Sequence, residues 1–580
     1  MLKLLSNRIL ERMRTRFNYL YGSADQRCVE RMVMTVGRYG VGINGYKPQP
    51  LWDQTDSVLI TYGDMVREDN RKPIESLHGF LRKHVKDAVR TVHVLPFFPY
   101  SSDDGFSIKD YREVDPELGA WRDIQRLSRD YKLMVDMVIN HVSRQSSWFR
   151  DYVNYISPYR HYFIETDINT DLSSVVRPRS TPLLSPVRTR KGERRVWTTF
   201  SPDQVDLNFA NPDVLFEFID ILLWYIAMGA RVIRLDAIAY LWKQAGTPCI
   251  HLTQTHEVVK IFRDILDMIA PHVVLITETN VPHDENISYF GNGDEAHMVY
   301  QFSLPPLLAH ALLTGNSTYL THWAGALPDL APGNTFLNFT ASHDGIGVRP
   351  LHGLIPDDEF ESFISNAPEM GGRISYKSNP DGTESPYELN ITYFDMLADR
   401  VDVVTDSHIS RYLCSQTVML GLKGIPAVYF NSLIGARNNM KGIEETGHNR
   451  TINREKWTNE QLASMLNDKA SHHKKIFDFY IHALRIRAMH KAFHPDGLQR
   501  VISIKDNVFA FERIAPDNSE CVTCISNIAN AESEIAVDER LPSLNSSDNW
   551  KDLLSGVKLG EFDRMIRLDP YQTVWLNNSQ

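Results

Sequence analysis

The stretch of sequence that decides the fold is RVIRLDA, residues 231–237. Side chains alternate between the two faces of a strand, so Arg234 and Asp236 share one face while Ile233 and Leu235 share the other. Buried charges are costly unless they are paired or carry a function. The stretch therefore predicts a strand that ends either on a functional carboxylate or on a structural ion pair, and these residues alone leave both interpretations open.

Seven other short apolar runs recur along the chain, with helical stretches between them. This pattern is typical of parallel strands joined by crossover helices. The runs are SVLITY (57–62), TVHVLPF (91–97), KLMVDMVIN (132–140), HVVLITET (272–279), AHMVYQF (296–302), TFLNFTA (335–341) and IPAVYF (425–430). With RVIRLDA they make eight strand–helix units, which predict an α/β fold, a (β/α)8 TIM barrel with its site at the carboxyl ends of the strands.

The intervals between these runs predict how the rest of the chain is organised. Two intervals, after the third and seventh strands, are too long for simple connections and are expected to lie over the barrel mouth. Short alternating runs near the C-terminus predict an antiparallel β domain. The predicted parts are an N-terminal helical extension (1–55), the first part of the barrel (56–141), an inserted domain B (142–205), the middle of the barrel (206–344), an inserted loop domain B′ (345–400), the last part of the barrel (401–494) and a C-terminal β domain (495–580).

Composition excludes several classes of protein. The formal net charge is −10, and no run of Lys and Arg interleaved with aromatic residues appears, so a nucleic-acid partner is not expected. No stretch is apolar and long enough for a membrane span or a signal peptide, and the five cysteines are too scattered for a disulfide framework. CVTC (521–524) predicts a strand rather than a zinc or redox site. We expect a cytoplasmic enzyme.

A second carboxylate, Glu278, closes the run HVVLITET and is predicted at the same end of the barrel as Asp236. Retaining glycosidases use two carboxyl groups about 5–5.5 Å apart, one as nucleophile and one as acid and base. Other polar residues also follow strands: Asp136, Asn140 and His141 in DMVINH, and His343 and Asp344 in ASHDG. The set indicates a sugar site. A metal site is the alternative, although no HExxH-type spacing occurs.

Taken in order, DMVINH, QVDLN, RVIRLDA, ITETN and FTASHD resemble the motifs of glycoside hydrolase family 13, the α-amylase family. Five motifs in one order are highly specific. The resemblance implies that Asp236 is the nucleophile, Glu278 the acid/base and Asp344 the carboxylate that stabilises the transition state. It also implies a set of glucose-binding residues: His141, Gln204, Arg234 and His343.

Within this family the chain resembles the sucrose phosphorylase group. The matching stretches are LITYGD (59–64), LPFFPYSSDDGF (95–106), FSLPPLLAHAL (302–312), HDGIGV (343–348) and TINREKW (451–457). The resemblance implies that Asp103 and Arg454 clamp the far edge of the glucose ring and that Tyr240 lies in the sugar site. In VVRPRS (175–180), Arg179 resembles an arginine linked to phosphate, with Arg177 as the second candidate.

The acceptor side departs from the sucrose-specific pattern. In SPYELN (385–390), Glu388 follows Tyr387 where sucrose phosphorylases carry Gln. This loop, the 160–200 segment and the chain length are more similar to the glucosylglycerate phosphorylases, which implies conversion of glucosylglycerate and phosphate to α-glucose 1-phosphate and glycerate. Tyr387 and Glu388 would then lie in the substrate site. Glu388 would repel glycerate unless it points away or is neutralised by a base such as Arg179.

Other activities remain open at this point. Sucrose phosphorylase and glucosylglycerol phosphorylase are the near alternatives, and an α-glucosidase, a transglucosidase or a non-catalytic sugar-binding relative are more distant. Amylases of the family often bind calcium near the residue matching Asn140, but the phosphorylase group generally does without it, so the resemblance implies no metal and no cofactor. The expected partners are small molecules: the α-glucoside, inorganic phosphate and glucose 1-phosphate. The sequence does not fix the oligomeric state and allows a homodimer.

Overall fold

A computed structural model describes residues 7–40, 50–379, 382–545, 550–559 and 564–578. Eight strands form a closed barrel, and every neighbouring pair is parallel. In chain order they are β1 (Val58–Thr61), β2 (Thr91–Val94), β3 (Lys132–Val138), β4 (Ala230–Asp236), β5 (Val274–Thr277), β6 (Met298–Tyr300), β7 (Thr335–Phe339) and β8 (Ile425–Tyr429). Each overlaps one of the eight predicted runs, so the barrel prediction is confirmed.

Helices on the outside of the barrel bury the strands. Because both faces of a parallel strand are covered, its residues are apolar almost throughout rather than alternating. The larger helices of this layer are Pro73–His84, Trp121–Asp130, Pro212–Ala227, Thr253–Ile269, Leu304–Thr314, Thr318–Gly325, Asp406–Gly421 and His472–Met489. No helix in the described ranges is long and apolar enough to cross a membrane.

The helix Pro212–Ala227 delivers the chain into β4. Asn211 caps it by accepting a hydrogen bond from the Asp213 backbone N–H at 3.0 Å, and Pro212 occupies the first turn, where its missing N–H costs nothing. Gly229, at φ +112°, makes the turn that returns the chain to the strand. Only Met228 and Gly229 separate this helix from β4, the strand that carries Arg234 and Asp236 to the barrel mouth.

Two insertions stand over that mouth. The first contains the helix Ser147–Val153 and the antiparallel pairs His141–Ser143 with Gln204–Asp206 and Leu184–Thr189 with Gly192–Trp197. The second contains the helices Asp357–Glu369 and Tyr393–Met396 and a three-stranded sheet of Ile346–Gly347, Glu384–Asn390 and Arg373–Ser378. Shorter helices after β8 complete the rim: Phe430–Leu433, Met440–Thr446 and Asn459–Asn467.

The C-terminal part forms an antiparallel sheet, as predicted. Its strands, in spatial order, are Leu498–Lys505, Val508–Ile514, Cys521–Asn527, Thr573–Asn578, Trp550–Asp552 and Lys558–Leu559. A separate pair joins Ser533–Ala536 to Met565–Leu568. The predicted strand at CVTC is confirmed, and both of its thiols are free.

An N-terminal hairpin of two helices, Asn7–Tyr21 and Asp25–Tyr39, packs on the outer layer of the barrel. The predicted extension over 1–55 includes residues 1–6 and 41–49, which lie outside the described residues. Arg16 anchors the hairpin, because its guanidinium binds Asp264 at 2.9 Å, Glu257 at 3.0 Å and Asp294 at 3.0 Å.

Candidate active site

The side chains with candidate roles follow the carboxyl ends of the barrel strands. Asp236 is the last residue of β4, Glu278 comes directly after β5, and Asp344 follows β7. Strands of a parallel barrel all end at the same rim, so the predicted carboxylates are brought to one place.

Arg234 is the hub of this site and is only 2% exposed. One of its nitrogens, Nη1, donates to Asp236 at 2.7 Å and to Asp136 at 2.5 Å, and Nη2 lies 3.8 Å from Glu278 Oε2. The second oxygen of Asp136 lies 2.7 Å from His93 Nε2. The same guanidinium therefore contacts both Asp236 and Glu278, which ties the two carboxylates to one fixed point.

The backbone after Asp236 holds Glu278 in position. The Ala237 N–H donates to Glu278 Oε2 at 2.9 Å, and Ala237 has the left-handed backbone φ 49°, ψ 32°. A non-glycine residue rarely adopts this conformation, and such strain is typical of functional sites. The turn places the Glu278 carboxyl against the residue that follows Asp236.

Burial sets the protonation of the two carboxyls. Burial raises the pKa of Asp236 well above its ordinary value. The Arg234 cation opposes this rise, and repulsion from Glu278 adds to it. Burial also raises the pKa of Glu278. Arg234 opposes this rise, and repulsion from Asp344 adds to it. Two close carboxyls that both resist ionisation hold one proton between them. Arg234 opposes the rise more directly at Asp236, which it contacts at 2.7 Å, than at Glu278, which lies 3.8 Å away.

Asp344 lies in a different electrostatic setting. Arg450 Nη1 contacts its Oδ1 at 2.5 Å. Burial raises the pKa of Asp344, but Arg450, Arg454 and Arg234 outweigh burial, so the net shift is downward. Asp344 is therefore an anion at neutral pH.

Arg450 also neutralises Glu388, the carboxylate expected to repel an anionic acceptor. Its Nε donates to Glu388 Oε1 at 3.0 Å and its Nη2 to Oε2 at 2.6 Å. The sequence prediction that a base such as Arg179 neutralises Glu388 was wrong about the residue, since Arg179 instead stacks on Tyr387 at 5.4 Å from the ring centre. Arg450 was missed because it stands one residue outside the matched stretch TINREKW, and the arginine at i and i+4 in RTINR is the only local signal.

The far edge of the site brings together the predicted glucose residues. Arg454 Nη1 lies 3.5 Å from Asp103, as predicted, and 3.1 Å from Asp104, which was not. The rings of Phe106 and His343 stack with centres 4.6 Å apart and planes 2° from parallel. This group forms a flat wall with a charged clamp beside it.

His141 and Gln204 hold the same wall from the other side. Both contact the Phe106 carbonyl oxygen, His141 Nε2 at 2.9 Å and Gln204 Nε2 at 3.2 Å. Burial lowers the pKa of both His141 and His343, so the two imidazoles are neutral near pH 7 and can form hydrogen bonds without adding charge.

Aromatic rings border the acceptor side. Tyr240 is buried in the turn after β4 and packs edge-on against Phe200, with ring centres 5.5 Å apart. Tyr387 carries Arg179 on its face. Arg177, the second phosphate candidate, donates to the carbonyl of Thr181 in its own loop, whereas Arg179 lines the cleft. Of the two arginines, the structure brings only Arg179 to the site.

A lysine lies against Asn140 at the junction of the barrel and the first insertion. Lys243 Nζ donates to Asn140 Oδ1 at 2.7 Å and to the Tyr240 carbonyl, and it pairs with Asp206 Oδ2 at 2.8 Å. Elsewhere in the described ranges, no group of three His, Cys, Asp or Glu side chains is arranged to hold a metal.

A cleft of about 1180 Å³, large enough for a small glucoside, opens at the barrel mouth. Arg450 lines both this cleft and a smaller cavity of about 40 Å³ that Glu278 and Asp344 line. The larger cleft is lined by residues from the barrel rim and from both insertions, among them Asp103, Asp104, Arg179, Gln204, Arg450 and Arg454. The predicted glucose clamp and the candidate phosphate residue thus line one common space.

Comparison with known proteins agrees with this architecture. Residues 83–324 match the α-amylase catalytic domain family. A glucosylglycerate phosphorylase of Spirochaeta thermophila is 47% identical over 536 residues, 90% of this chain and 90% of that protein. One from Escherichia coli is 41% identical over 528 residues, 90% of this chain and 92% of that protein.

A solved structure shares the fold. The crystal structure of sucrose 6F-phosphate phosphorylase from Thermoanaerobacter thermosaccharolyticum superposes with a TM-score of 0.71 at 23% identity, covering 82% of this chain and 94% of that one. The family resemblance predicted from the five ordered motifs is confirmed.

Proposed function

The chain belongs to glycoside hydrolase family 13, the α-amylase family, and from its similarity to glucosylglycerate phosphorylases we propose its reaction. It transfers the glucosyl unit of 2-O-α-glucosylglycerate to inorganic phosphate and releases α-glucose 1-phosphate and glycerate. The reaction proceeds by double displacement through a glucosyl ester of Asp236.

One observation carries the mechanism: Arg234 contacts both Asp236 and Glu278, at 2.7 Å and 3.8 Å. The closer contact keeps Asp236 ionised and therefore nucleophilic, while Glu278 keeps the proton that a leaving oxygen needs. Two carboxyl groups with these opposite states are the requirement for a retaining mechanism.

In the first step Glu278 gives its proton to the glycosidic oxygen as an Asp236 oxygen attacks the anomeric carbon. The bond to glycerate breaks, glycerate leaves with the proton, and a β-glucosyl ester forms on Asp236. Asp344, ionised by Arg450, faces the positive charge that develops on the sugar ring and stabilises it.

In the second step a phosphate oxygen attacks the same carbon and releases Asp236. Glu278, now a carboxylate, takes the proton from the attacking phosphate hydroxyl. Two inversions restore the α configuration. Arg179, which lines the cleft beside Tyr387, supplies positive charge for phosphate.

The charge of the acceptor fits the ion pairs around it. Glycerate is an anion, and an unpaired Glu388 would repel it. The two hydrogen bonds from Arg450 neutralise Glu388, which supports an anionic acceptor in this pocket. A cytoplasmic location fits a reaction that consumes inorganic phosphate, and all five cysteines are free.

The test is product analysis of the wild type and Asp236→Asn, with and without phosphate. We expect glucose 1-phosphate from glucosylglycerate only when phosphate is present, and no turnover by the variant at unchanged melting temperature. Equal glucose release in both conditions would identify a hydrolase instead. In the reverse direction, phosphate release from glucose 1-phosphate with glycerate, glycerol or fructose ranks the acceptors, and a preference for fructose or glycerol over glycerate would reject the proposed substrate.

A further inference from the structure

Arg349 lies near the proposed acceptor pocket and has no role in the proposed double displacement. It begins the turn Arg349–Leu351, two residues after the end of the edge strand Ile346–Gly347, and it is half-buried. Within the described part of the chain its guanidinium has neither an ion pair nor a hydrogen bond. An arginine normally satisfies its five donors when it is taken from water, so this one is available for a ligand.

The backbone places Arg349 beside the acceptor pocket. The N–H of Val348 donates to the carbonyl of Tyr387 at 3.1 Å, and Gly347 pairs with Glu388 in the sheet. The charge of Arg349 also acts on the hydroxyls of Tyr240 and Tyr387, and Glu278 and Arg179 act on the same two hydroxyls. Arg349 and Arg179 therefore both approach the tyrosine pair that borders the acid/base.

A second cation, Lys377, adds positive charge near Arg349. Lys377 lies on the strand Arg373–Ser378, opposite Ser385, and is partly buried. Burial lowers the pKa of Lys377, and Arg349 lowers it further by repulsion. Of the carboxylates on the facing strand, Glu388 is bound by Arg450, and Glu384 is exposed and forms no ion pair with either cation among the described residues. Two like charges close to each other would be stabilised by a bound anion.

The chemistry of the proposed substrates puts an anion at this position in both directions. In 2-O-α-glucosylglycerate the carboxylate is attached to the carbon that bears the glycosidic oxygen. In α-glucose 1-phosphate the charged oxygens are attached to the phosphorus that bears that oxygen. The charged oxygens of glucosylglycerate are one bond farther from that oxygen than those of glucose 1-phosphate, so both charged groups lie close to the oxygen that Glu278 protonates.

We propose that Arg349, with Lys377 behind it, binds the anionic group of whichever molecule occupies the acceptor position. This inference rests on the proposed function and assigns its acceptor specificity to residues of the second insertion. Arg450, locked between Asp344 and Glu388, then positions the catalytic carboxylates, while Arg349 and Arg179 meet the ligand.

The test compares wild type with Arg349→Met, using α-glucosyl fluoride as an uncharged donor. Acceptors are glycerate, inorganic phosphate and glycerol, which resembles glycerate but lacks the carboxylate. We expect KM for glycerate and for phosphate to rise on the order of ten- to a hundredfold, since a charged hydrogen bond is lost. KM for glycerol and hydrolysis of the donor should not change, and Arg349→Lys should recover part of the binding.

Arg67→Met is the matched control, because Arg67 lines the cleft that Arg179 also lines but is already paired with Asp64 at 2.5 Å. It should leave all three acceptors unaffected. A rise confined to one anion would overturn the proposal that both anions share this subsite. Equal changes for glycerate and glycerol, or no change at all, would overturn the inference. If neither anion accelerates turnover by the wild type, it is the proposed function that fails.

Discussion

Arg450 binds Glu388 through two parallel hydrogen bonds, Nε to Oε1 at 3.0 Å and Nη2 to Oε2 at 2.6 Å, while its remaining nitrogen, Nη1, contacts Asp344 at 2.5 Å. One guanidinium thus fixes a carboxylate proposed for the transition state and a carboxylate beside the acceptor. Arg450 therefore links Asp344, at the barrel rim, to Glu388, in the second insertion.

Replacing Arg450 with Met should reduce both stability and activity. Glu388 is 2% exposed, and a buried carboxylate left without its cation costs about 3–5 kcal/mol. We expect a loss of that order in the free energy of unfolding and a fall of roughly a hundredfold in kcat/KM, because the charge on Asp344 is no longer held in place. The double variant Arg450→Met with Glu388→Met should regain stability but not activity. Equal recovery of both would contradict the positioning role.

The pH profile should respond to Arg450 in a defined direction. In the proposed mechanism Glu278 must be protonated for the first step, so kcat/KM should fall as pH rises through its pKa. Burial raises that pKa, and Arg450 is among the cations that oppose the rise. Removing Arg450 therefore raises the pKa further and moves the alkaline limb of kcat/KM for glucosylglycerate to higher pH. A limb that stays in place, or moves to lower pH, would exclude this electrostatic link.

Gly345 follows Asp344 and permits a close approach of two backbones. A Cβ at this position would stand 2.5 Å from the Leu389 carbonyl oxygen and 2.6 Å from Glu388 Cγ. We expect Gly345→Ala to cost about 1–3 kcal/mol by overpacking and to lower kcat more than tenfold by displacing Glu388.

Gly79→Ala is its control, since Gly79 lies in the helix Pro73–His84 with no atom within 4 Å of the added carbon. It should stabilise the protein by about 0.5–1 kcal/mol. Thermal unfolding and initial rates measure both variants, and similar behaviour of the two would contradict the proposed clash.

Arg16 should matter for stability and not for catalysis. It holds three carboxylates at the N-terminal hairpin, and Asp264 among them is fully buried. Arg16→Met should lower the free energy of unfolding by about 3 kcal/mol and leave kcat unchanged. Arg14→Met, which removes an exposed pair with Glu11, should change stability by less than about 1 kcal/mol. A loss of kcat in the Arg16 variant at full folding would assign the hairpin a role in the site.

The barrel was predictable because each of its strands is a short apolar run that ends on polar residues. Strand alternation alone paired Arg234 with Asp236, and both lie at the rim with Asp136 and Glu278. Such patterns are local, so the sequence carries them within a few residues.

Arg450 and His93 were not predictable in the same way. Arg450 is 62 residues from Glu388, and no periodicity connects the two positions. His93 stands among apolar residues of β2, where a histidine usually satisfies a structural contact, and its link to Asp136 exists only once β2 and β3 lie side by side. Contacts of this kind depend on the closed barrel.

Lys243 gives the junction between the barrel and its first insertion a cation that is part of the chain. Its ammonium group spans Asn140 and Asp206, which lie at the two ends of that insertion. A phosphorylase works in the presence of inorganic phosphate, and phosphate binds free calcium ions. The ammonium group of Lys243 is covalently part of the chain, so neither substrate nor a chelator can remove the positive charge that bridges these two residues.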